Sequence, residues 1–178
     1  MPQAPETHRL FFALWPAATQ AEQIRQAVAN ALQGVDGKRV HVLNYHITLV
    51  FYGRADADGL ACLSEAADAI RGQAFQLTFD QLGYWSKPKV VWLAPKVIPQ
   101  PLITLQADLS QTLVDKCGYQ AEKRPYRPHL TLTRKSKRGP EVKEIESIVW
   151  QVKRFALVQS ITRAEGVEYR LLKERPLD

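Results

Sequence analysis

A four-residue pattern, His-x-Thr-Leu, occurs twice in this 178-residue chain, at residues 46–49 and at residues 129–132. An imidazole exchanges protons near neutral pH, and a Thr hydroxyl can hydrogen-bond a phosphate oxygen. Two such pairs facing one another could catalyse displacement at phosphorus, because one His would activate the entering oxygen while the other protonates the departing oxygen. His46, Thr48, His129 and Thr131 are therefore the candidate site residues.

Both copies of the pattern lie in segments with strand character. Residues 45–52 and 129–133 are rich in β-branched and apolar side chains, which is typical of strands. Side chains i and i+2 of a strand point to the same face, so each His shares a face with its Thr while the intervening residues enter a core. The duplication predicts two similar halves that face each other across one site.

Other chemistries lack their usual signals. A zinc site needs three or four ligands, and no H-x₃-H, H-x-H or C-x-x-C spacing accompanies either pattern. The G-x-S-x-G motif of a serine nucleophile is absent. A single strand His is most often structural, but the repetition of the whole pattern weighs against that alternative. We therefore expect neither a metal nor a cofactor.

The charge of the chain favours an anionic partner. The formal net charge is +6 and the isoelectric point is near 9.4, and a basic surplus speeds the capture of anions. A solvated basic face is the alternative interpretation. The position of the basic residues on both sides of the second pattern favours binding of an anion over this alternative. These residues are Lys123, Arg124, Arg127, Arg134, Lys135, Lys137 and Arg138.

Composition indicates a monomeric protein of the cytoplasm. No apolar run approaches the roughly 20 residues of a membrane span, and the first residues do not resemble a signal peptide. Cys62 and Cys117 are too few and too scattered for a disulfide framework or a thiolate metal site. We expect them to be small packing residues in a reducing compartment.

Hydrophobic periodicity predicts an α+β domain. Residues 1–8 are expected to form a loose tail, and residues 9–178 a single domain with Trp85, Trp92 and Trp150 as core anchors. The alternative for Trp85 is that, with Tyr84, it borders a nucleic-acid surface. The predicted strands are residues 9–15, 39–52, 75–85, 89–93, 129–133, 152–163 and 167–173, and the predicted helices are residues 17–33, 56–70, 99–118 and, as a short element, 141–149.

The chain resembles the 2H phosphoesterases, and more closely the bacterial and archaeal RNA 2′,3′-cyclic phosphodiesterases, also called 2′-5′ RNA ligases. The double pattern carries the resemblance, supported by residues 9–15, 44–53, 90–93 and the closing hairpin. The resemblance implies a bilobal fold, in which two antiparallel sheets with outer helices are related by pseudo-two-fold symmetry around a central cleft. It also implies metal-independent hydrolysis of RNA or nucleoside 2′,3′-cyclic phosphates to 2′-phosphomonoesters.

The resemblance also implies roles for individual residues. His46 and His129 would be the acid and base, with no assignment of which is which, and Thr48 and Thr131 would bind the phosphate. Arg134 would assist with phosphate, and Phe51 would lie near the base. Both follow their His by five positions, so strand alternation places them on the opposite face unless the strand bends. Tyr52, which has the parity of His46, is the rival stacking residue.

Two alternative functions remain open at this point. One is 2′-5′ linkage formation or cleavage by the same site. The other is a nucleotide- or RNA-binding module with little turnover, although such a module would not need two titrating groups.

Overall fold

The α+β prediction is confirmed by a computed structural model of the chain, which describes residues 8–178. Its three α-helices are α1 (Ala18–Val28), α2 (Ala57–Ala69) and α3 (Gln100–Cys117). Its nine strands are β1 (His8–Leu14), β2 (Lys38–Arg39), β3 (Ile47–Ala55), β4 (Phe75–Trp85), β5 (Val90–Ala94), β6 (Leu130–Arg134), β7 (Glu144–Val152), β8 (Arg154–Arg163) and β9 (Gly166–Pro176).

The strands form two antiparallel halves that meet at the two His-x-Thr-Leu segments. The order of the sheet is β7-β4-β5-β6-β3-β1-β8-β9, with β2 added beside β6. Between β3 and β6 the ladder consists of one pair, Ile47 with Leu130. The predicted two sheets are therefore two four-stranded half-sheets joined at a narrow seam, and each half contributes one copy of the pattern.

The two faces of the sheet differ in what covers them. On β1, Leu10, Phe12 and Leu14 are fully buried in the main core, which also contains the leucine stripe of α3: Leu102, Leu105, Leu109 and Leu113. Phe11 and Ala13 point the other way and form a small separate cluster with residues of β8. The helices therefore pack on one face, and the opposite face is left for the cleft.

The prediction of a short helix at residues 141–149 is wrong, because most of this segment belongs to strand β7. Its buried residues, Ile148, Trp150 and Val152, alternate with exposed ones, and β7 pairs with β4 from Phe75 to Gln81. Pairing along an available strand edge overrides the weak helical preference of the Glu- and Lys-containing sequence. The predicted strand at residues 39–52 is likewise interrupted, by a 3₁₀ turn at Val42–Asn44.

The predicted tail is one residue too long. His8 belongs to β1, and its Nδ1 accepts a hydrogen bond from the Gln159 side chain over 2.8 Å. The other residues of the predicted tail, 1–7, lie outside the described residues.

The prediction for the two cysteines is also wrong. Cys62 and Cys117 form a disulfide with a Cα–Cα distance of 5.8 Å, across 55 positions of sequence. The packing of α2 against α3 brings them together, which their spacing could not reveal. Within residues 8–178, the helices are too short or too polar to cross a membrane.

Candidate active site

The two histidines are held by the same local device. Each lies immediately before its strand, and its Nδ1 donates to the carbonyl oxygen two residues earlier. These bonds are 2.7 Å from His46 to Asn44 and 2.8 Å from His129 to Arg127. The carbonyl can only accept, so the proton of each neutral ring lies on Nδ1. Nε2 is then free to accept a proton from a substrate, or to donate one when the ring is protonated.

The seam between the half-sheets brings the two patterns together. Ile47 pairs with Leu130 in antiparallel register. Extending this register by one residue in each direction places His46 opposite Thr131 and Thr48 opposite His129, with all four side chains on one face. The same four residues line one cavity of about 330 Å³. The four residues identified from sequence therefore share a single site, and its symmetry follows from their identical positions relative to the seam.

A β-bulge in each motif strand explains the position of the residue five places after each His. The pairing between β6 and β5 skips Leu132, and the pairing between β3 and β1 skips Leu49. One extra residue reverses the alternation of a strand. As a consequence, Arg134 lines the cavity. Phe51 lies on the same face of the sheet as its ladder partner Phe11.

Arg134 is further fixed by the backbone that approaches it. Lys38 of β2 pairs with Arg134, and a Cβ added to Gly37 would lie 2.6 Å from the Arg134 carbonyl oxygen. Gly37 has a φ of +92°, which also favours glycine. The backbone of residues 37 and 38 therefore packs directly against the end of β6 that carries Arg134.

The two candidate stacking residues have different environments. Phe51 is 46% exposed, and the Arg9 guanidinium lies 5.0 Å from the centre of its ring. Tyr52 is not on the cleft: its hydroxyl donates to the Cys117 carbonyl over 2.6 Å, and its ring stacks on Tyr119. The expectation for Tyr52 is therefore corrected, because the bulges reverse the parity on which it rested.

Aromatic rings surround both histidines. Trp15 stacks on His46 with ring centres 4.8 Å apart and planes within 3°. Tyr169 and Phe11 approach the same ring at 5.2 and 5.3 Å. The edge-to-face contact of Trp85 with His129 measures 4.6 Å.

Phe11, Trp15 and Tyr169 are missing from the site residues predicted from sequence. Trp85 lines the cavity and is not simply a core anchor, whereas Trp150 is buried as expected. The available signal was the alternation on β1, where Phe11 and Trp15 have the opposite parity to the core residues. Tyr169 comes from the closing hairpin, and no local pattern connects it with His46.

Burial of the two imidazoles favours their neutral forms in the free protein. Burial lowers the pKa of His46 to about 4, against the opposing effect of its hydrogen bond to Asn44. The positive charge of Arg134, and that of His129 whenever it is protonated, lower this pKa further. Burial also lowers the pKa of His129, and Arg134 contributes again. A bound anionic phosphate would oppose these effects and favour protonation of one ring.

The basic cluster around the second pattern is only partly directed at the cleft. Arg124 lines the cavity and also pairs with Glu122 at 2.9 Å. Arg138 instead donates to the Gly34 carbonyl over 3.2 Å. Among residues 8–178, no group of three or more His, Cys, Asp or Glu side chains is arranged to hold a metal ion.

Comparison with known proteins identifies the family of the chain. The family model described as the 2′-5′ RNA ligase superfamily matches residues 13–164. The RNA 2′,3′-cyclic phosphodiesterase of Escherichia coli is 37% identical over 129 residues, which cover 72% of this chain and 73% of the relative. The enzyme of that name from Archaeoglobus fulgidus is 31% identical over 93% of this chain and 98% of its own.

A solved structure extends the similarity to the whole fold. The crystal structure of E. coli LigT complexed with 3′-AMP superimposes with a TM-score of 0.88 at 32% identity, covering 97% of this chain and 99% of that one. The resemblance inferred from the double pattern is thereby confirmed, and the chain belongs to the 2′-5′ RNA ligase superfamily of 2H phosphoesterases.

Proposed function

We propose that this protein is a hydrolase that opens the 2′,3′-cyclic phosphate at RNA ends, leaving a 2′-phosphomonoester. The observation that carries the proposal is the convergence of two His/Thr pairs, one from each half-sheet, on one cavity. Several relatives are named RNA 2′,3′-cyclic phosphodiesterase, and the similar protein E. coli LigT has been crystallised with 3′-AMP and with ATP.

The chemistry follows from the two free Nε2 atoms. One neutral imidazole takes a proton from water as the water oxygen attacks phosphorus, and the protonated imidazole gives its proton to the departing 3′ oxygen. Atoms and charge balance, because one proton enters one ring as another leaves the other ring. Thr48, Thr131 and Arg134 bind the non-bridging oxygens, whose negative charge grows in the transition state. None of these steps requires a metal or a cofactor.

The site also accounts for the named alternative reaction. Formation of a 2′-5′ linkage is the same displacement with a 5′ hydroxyl in place of water as the entering group, again with the 3′ oxygen departing. Cleavage of that linkage by the 3′ hydroxyl is the reverse step, so both directions use the same two histidines. We place the enzyme in the cytoplasm as a monomer acting on RNA ends or nucleoside cyclic phosphates. In a reducing cytoplasm, Cys62 and Cys117 would be held as neighbouring thiols.

The deciding experiment measures turnover of a nucleoside 2′,3′-cyclic phosphate, with the product resolved into 2′ and 3′ isomers. We expect the 2′-phosphomonoester from the wild-type protein and a loss of turnover in both His46→Ala and His129→Ala. His41→Ala is the matched control, because His41 is exposed and caps the turn at Val42–Asn44. Tight binding without turnover would identify a binding module, and unchanged activity in either cleft variant would refute the mechanism.

A further inference from the structure

A second cavity lies at the far end of the half-sheet that carries the first pattern. It is located where β1 begins, β3 ends and β8 leads into β9, and its volume is about 510 Å³. Among residues 8–178, its lining includes four arginines and no carboxylate: Arg9, Arg54, Arg163 and Arg170, together with His8, Gln159, Ser160, Ile161 and Thr162. Guanidinium, amide and hydroxyl groups are donors suited to phosphate oxygens.

The charge around this second cavity is not balanced by its neighbours. Arg163 and Arg170 share one acidic partner, Glu168, at 2.8 and 2.6 Å. Within residues 8–178, neither Arg9 nor Arg54 takes part in a salt bridge. In the part of the chain that the structure describes, four guanidinium groups therefore share a single acidic partner, Glu168, and the surplus positive charge is available to an anion.

A series of contacts connects the Arg9 side of the second cavity with the catalytic cleft. The Phe11 ring contacts His46 at 5.3 Å, and Phe11 is the ladder partner of Phe51. The Arg9 guanidinium covers the Phe51 ring, and Arg9 is in turn the ladder partner of Arg54. Arg9, Phe11 and Ala13 alternate along one face of β1, so the side of the second cavity formed by Arg9 and Arg54 lies on the same face of the sheet as the catalytic residues. Gln159 and Arg170, which are in register with Leu10, extend from the other face where the strands end.

We propose that the second cavity binds backbone phosphates of the RNA strand whose cyclic-phosphate end occupies the catalytic cleft. This inference rests on the proposed function and extends it to the body of the substrate. Ala13, the ladder partner of Thr48, lies four residues from Arg9 on β1, which is roughly 13 Å at the usual rise of a strand. At about 3.4 Å per stacked nucleotide, the cavity would be reached by the phosphate roughly four nucleotides upstream.

The combination of groups favours a single strand of nucleic acid over other anions. Proteins that bind single strands combine aromatic platforms for bases with cationic grooves for the backbone. Phe51 is 46% exposed between the cleft and the second cavity, and Arg9 lies against it. An isolated phosphate or phosphoprotein site would not need an exposed aromatic ring on the way to the catalytic residues.

The test compares short and long substrates in a charge-neutralised double variant, Arg54→Gln with Arg163→Gln. The matched control, Arg25→Gln with Arg154→Gln, removes two exposed, ion-paired arginines at other places on the surface. The substrates are a nucleoside 2′,3′-cyclic phosphate and an octanucleotide that ends in the same group, both at about 50 mM salt. The kcat/KM of each is measured as salt is raised.

For the cavity variant, we expect kcat/KM for the octanucleotide to fall about tenfold, while the value for the mononucleotide changes less than twofold. The slope of log(kcat/KM) against log[salt] should become shallower by about 1.4, since each phosphate contact to a single strand contributes about 0.7. The control variant should match the wild type with both substrates. Equal behaviour of the two double variants, or equal losses with both substrates, would overturn the proposal.

Binding of a non-cleavable octanucleotide with a 3′-phosphate, followed by fluorescence anisotropy, separates this proposal from the proposed function. If neither the wild-type protein nor any variant hydrolyses cyclic phosphates, the proposed function fails. A weaker affinity for the octanucleotide in the cavity variant alone would still support phosphate binding by the second cavity. If hydrolysis proceeds and the affinity of the cavity variant is unchanged, the second cavity is refuted alone.

Discussion

The two cleft histidines differ in surroundings although they share a tautomer. His46 is enclosed by Trp15, Tyr169 and Phe11, whereas His129 meets one ring, that of Trp85. Enclosure removes water from the charged form, so His46 is the harder of the two to protonate. Catalysis nevertheless requires that one of the two histidines be protonated. The negative charge of the bound phosphate can stabilise that imidazolium.

The pH dependence of catalysis should show this compensation. The free protein has both histidine pKa values below 6.5, so the alkaline limb of kcat/KM, which reports loss of the one required proton, should lie below pH 6.5. The limbs of kcat should lie at higher pH, because the phosphate in the complex favours imidazolium. Profiles measured with a nucleoside cyclic phosphate check this, and an alkaline kcat/KM limb above pH 7 would contradict it.

Removal of single side chains should rank the site residues by role. His46→Ala and His129→Ala should each lower kcat by about 10² to 10⁴, the usual contribution of a positioned acid or base. Thr48→Ala and Thr131→Ala should cost roughly 10 to 10³, since a hydroxyl stabilises charge without transferring the proton. Single-turnover rates measure both classes. A Thr variant more impaired than its neighbouring His variant would contradict the assigned roles.

At the scale of elements, the motif strands show what sequence can and cannot supply. Alternation correctly placed His46 with Thr48 and His129 with Thr131, because these pairs precede the irregularity in each strand. It failed for Phe51, Tyr52 and Arg134, which follow a bulge. A bulge is chosen by the pairing of neighbouring strands, and a Leu at the bulged position resembles any other strand Leu. In the same way, the helical preference of residues 141–149 was overridden, because most of this segment pairs with the free edge of β4.

The disulfide between α2 and α3 should contribute to stability but not to turnover. Closing 55 residues of chain restricts the unfolded state, with an upper limit of about 4 kcal/mol. Reduction, or Cys62→Ser with Cys117→Ser, should therefore lower Tm by up to about 10 °C. Because the bond lies on the helical side of the sheet, kcat/KM for a mononucleotide at 25 °C should change less than twofold.

Differential scanning calorimetry with and without reductant provides the measurement. The double Ser variant is its own control, because reductant should leave its Tm unchanged. A wild-type Tm that does not respond to reductant would show that the bond is not formed in solution.

At the scale of the whole molecule, the catalytic groups are side chains that two half-sheets bring together at a seam. Activity should therefore survive strong chelation, because protons and hydrogen bonds from these residues suffice for the displacement. The measurement is turnover in excess EDTA after dialysis, with a metal-dependent phosphodiesterase treated in parallel. Inactivation that a divalent ion reverses would replace the two-histidine mechanism with a metal-dependent one.

The strand order also fixes when, during synthesis, each half can form. The β7-β4-β5-β6 half is continuous in sequence, from Phe75 to Val152, whereas the other half joins β1 and β3 to β8 and β9. His46 therefore reaches its neighbour Tyr169 only after 123 further residues have been made, which takes roughly 6 to 25 s at usual rates of translation. Until β8 is made, β1 has an open edge, and until β9 is made, the first histidine has only part of its aromatic surroundings. A ribosome that stalls before β8 would leave a nascent chain whose downstream half can fold but whose active site is incomplete.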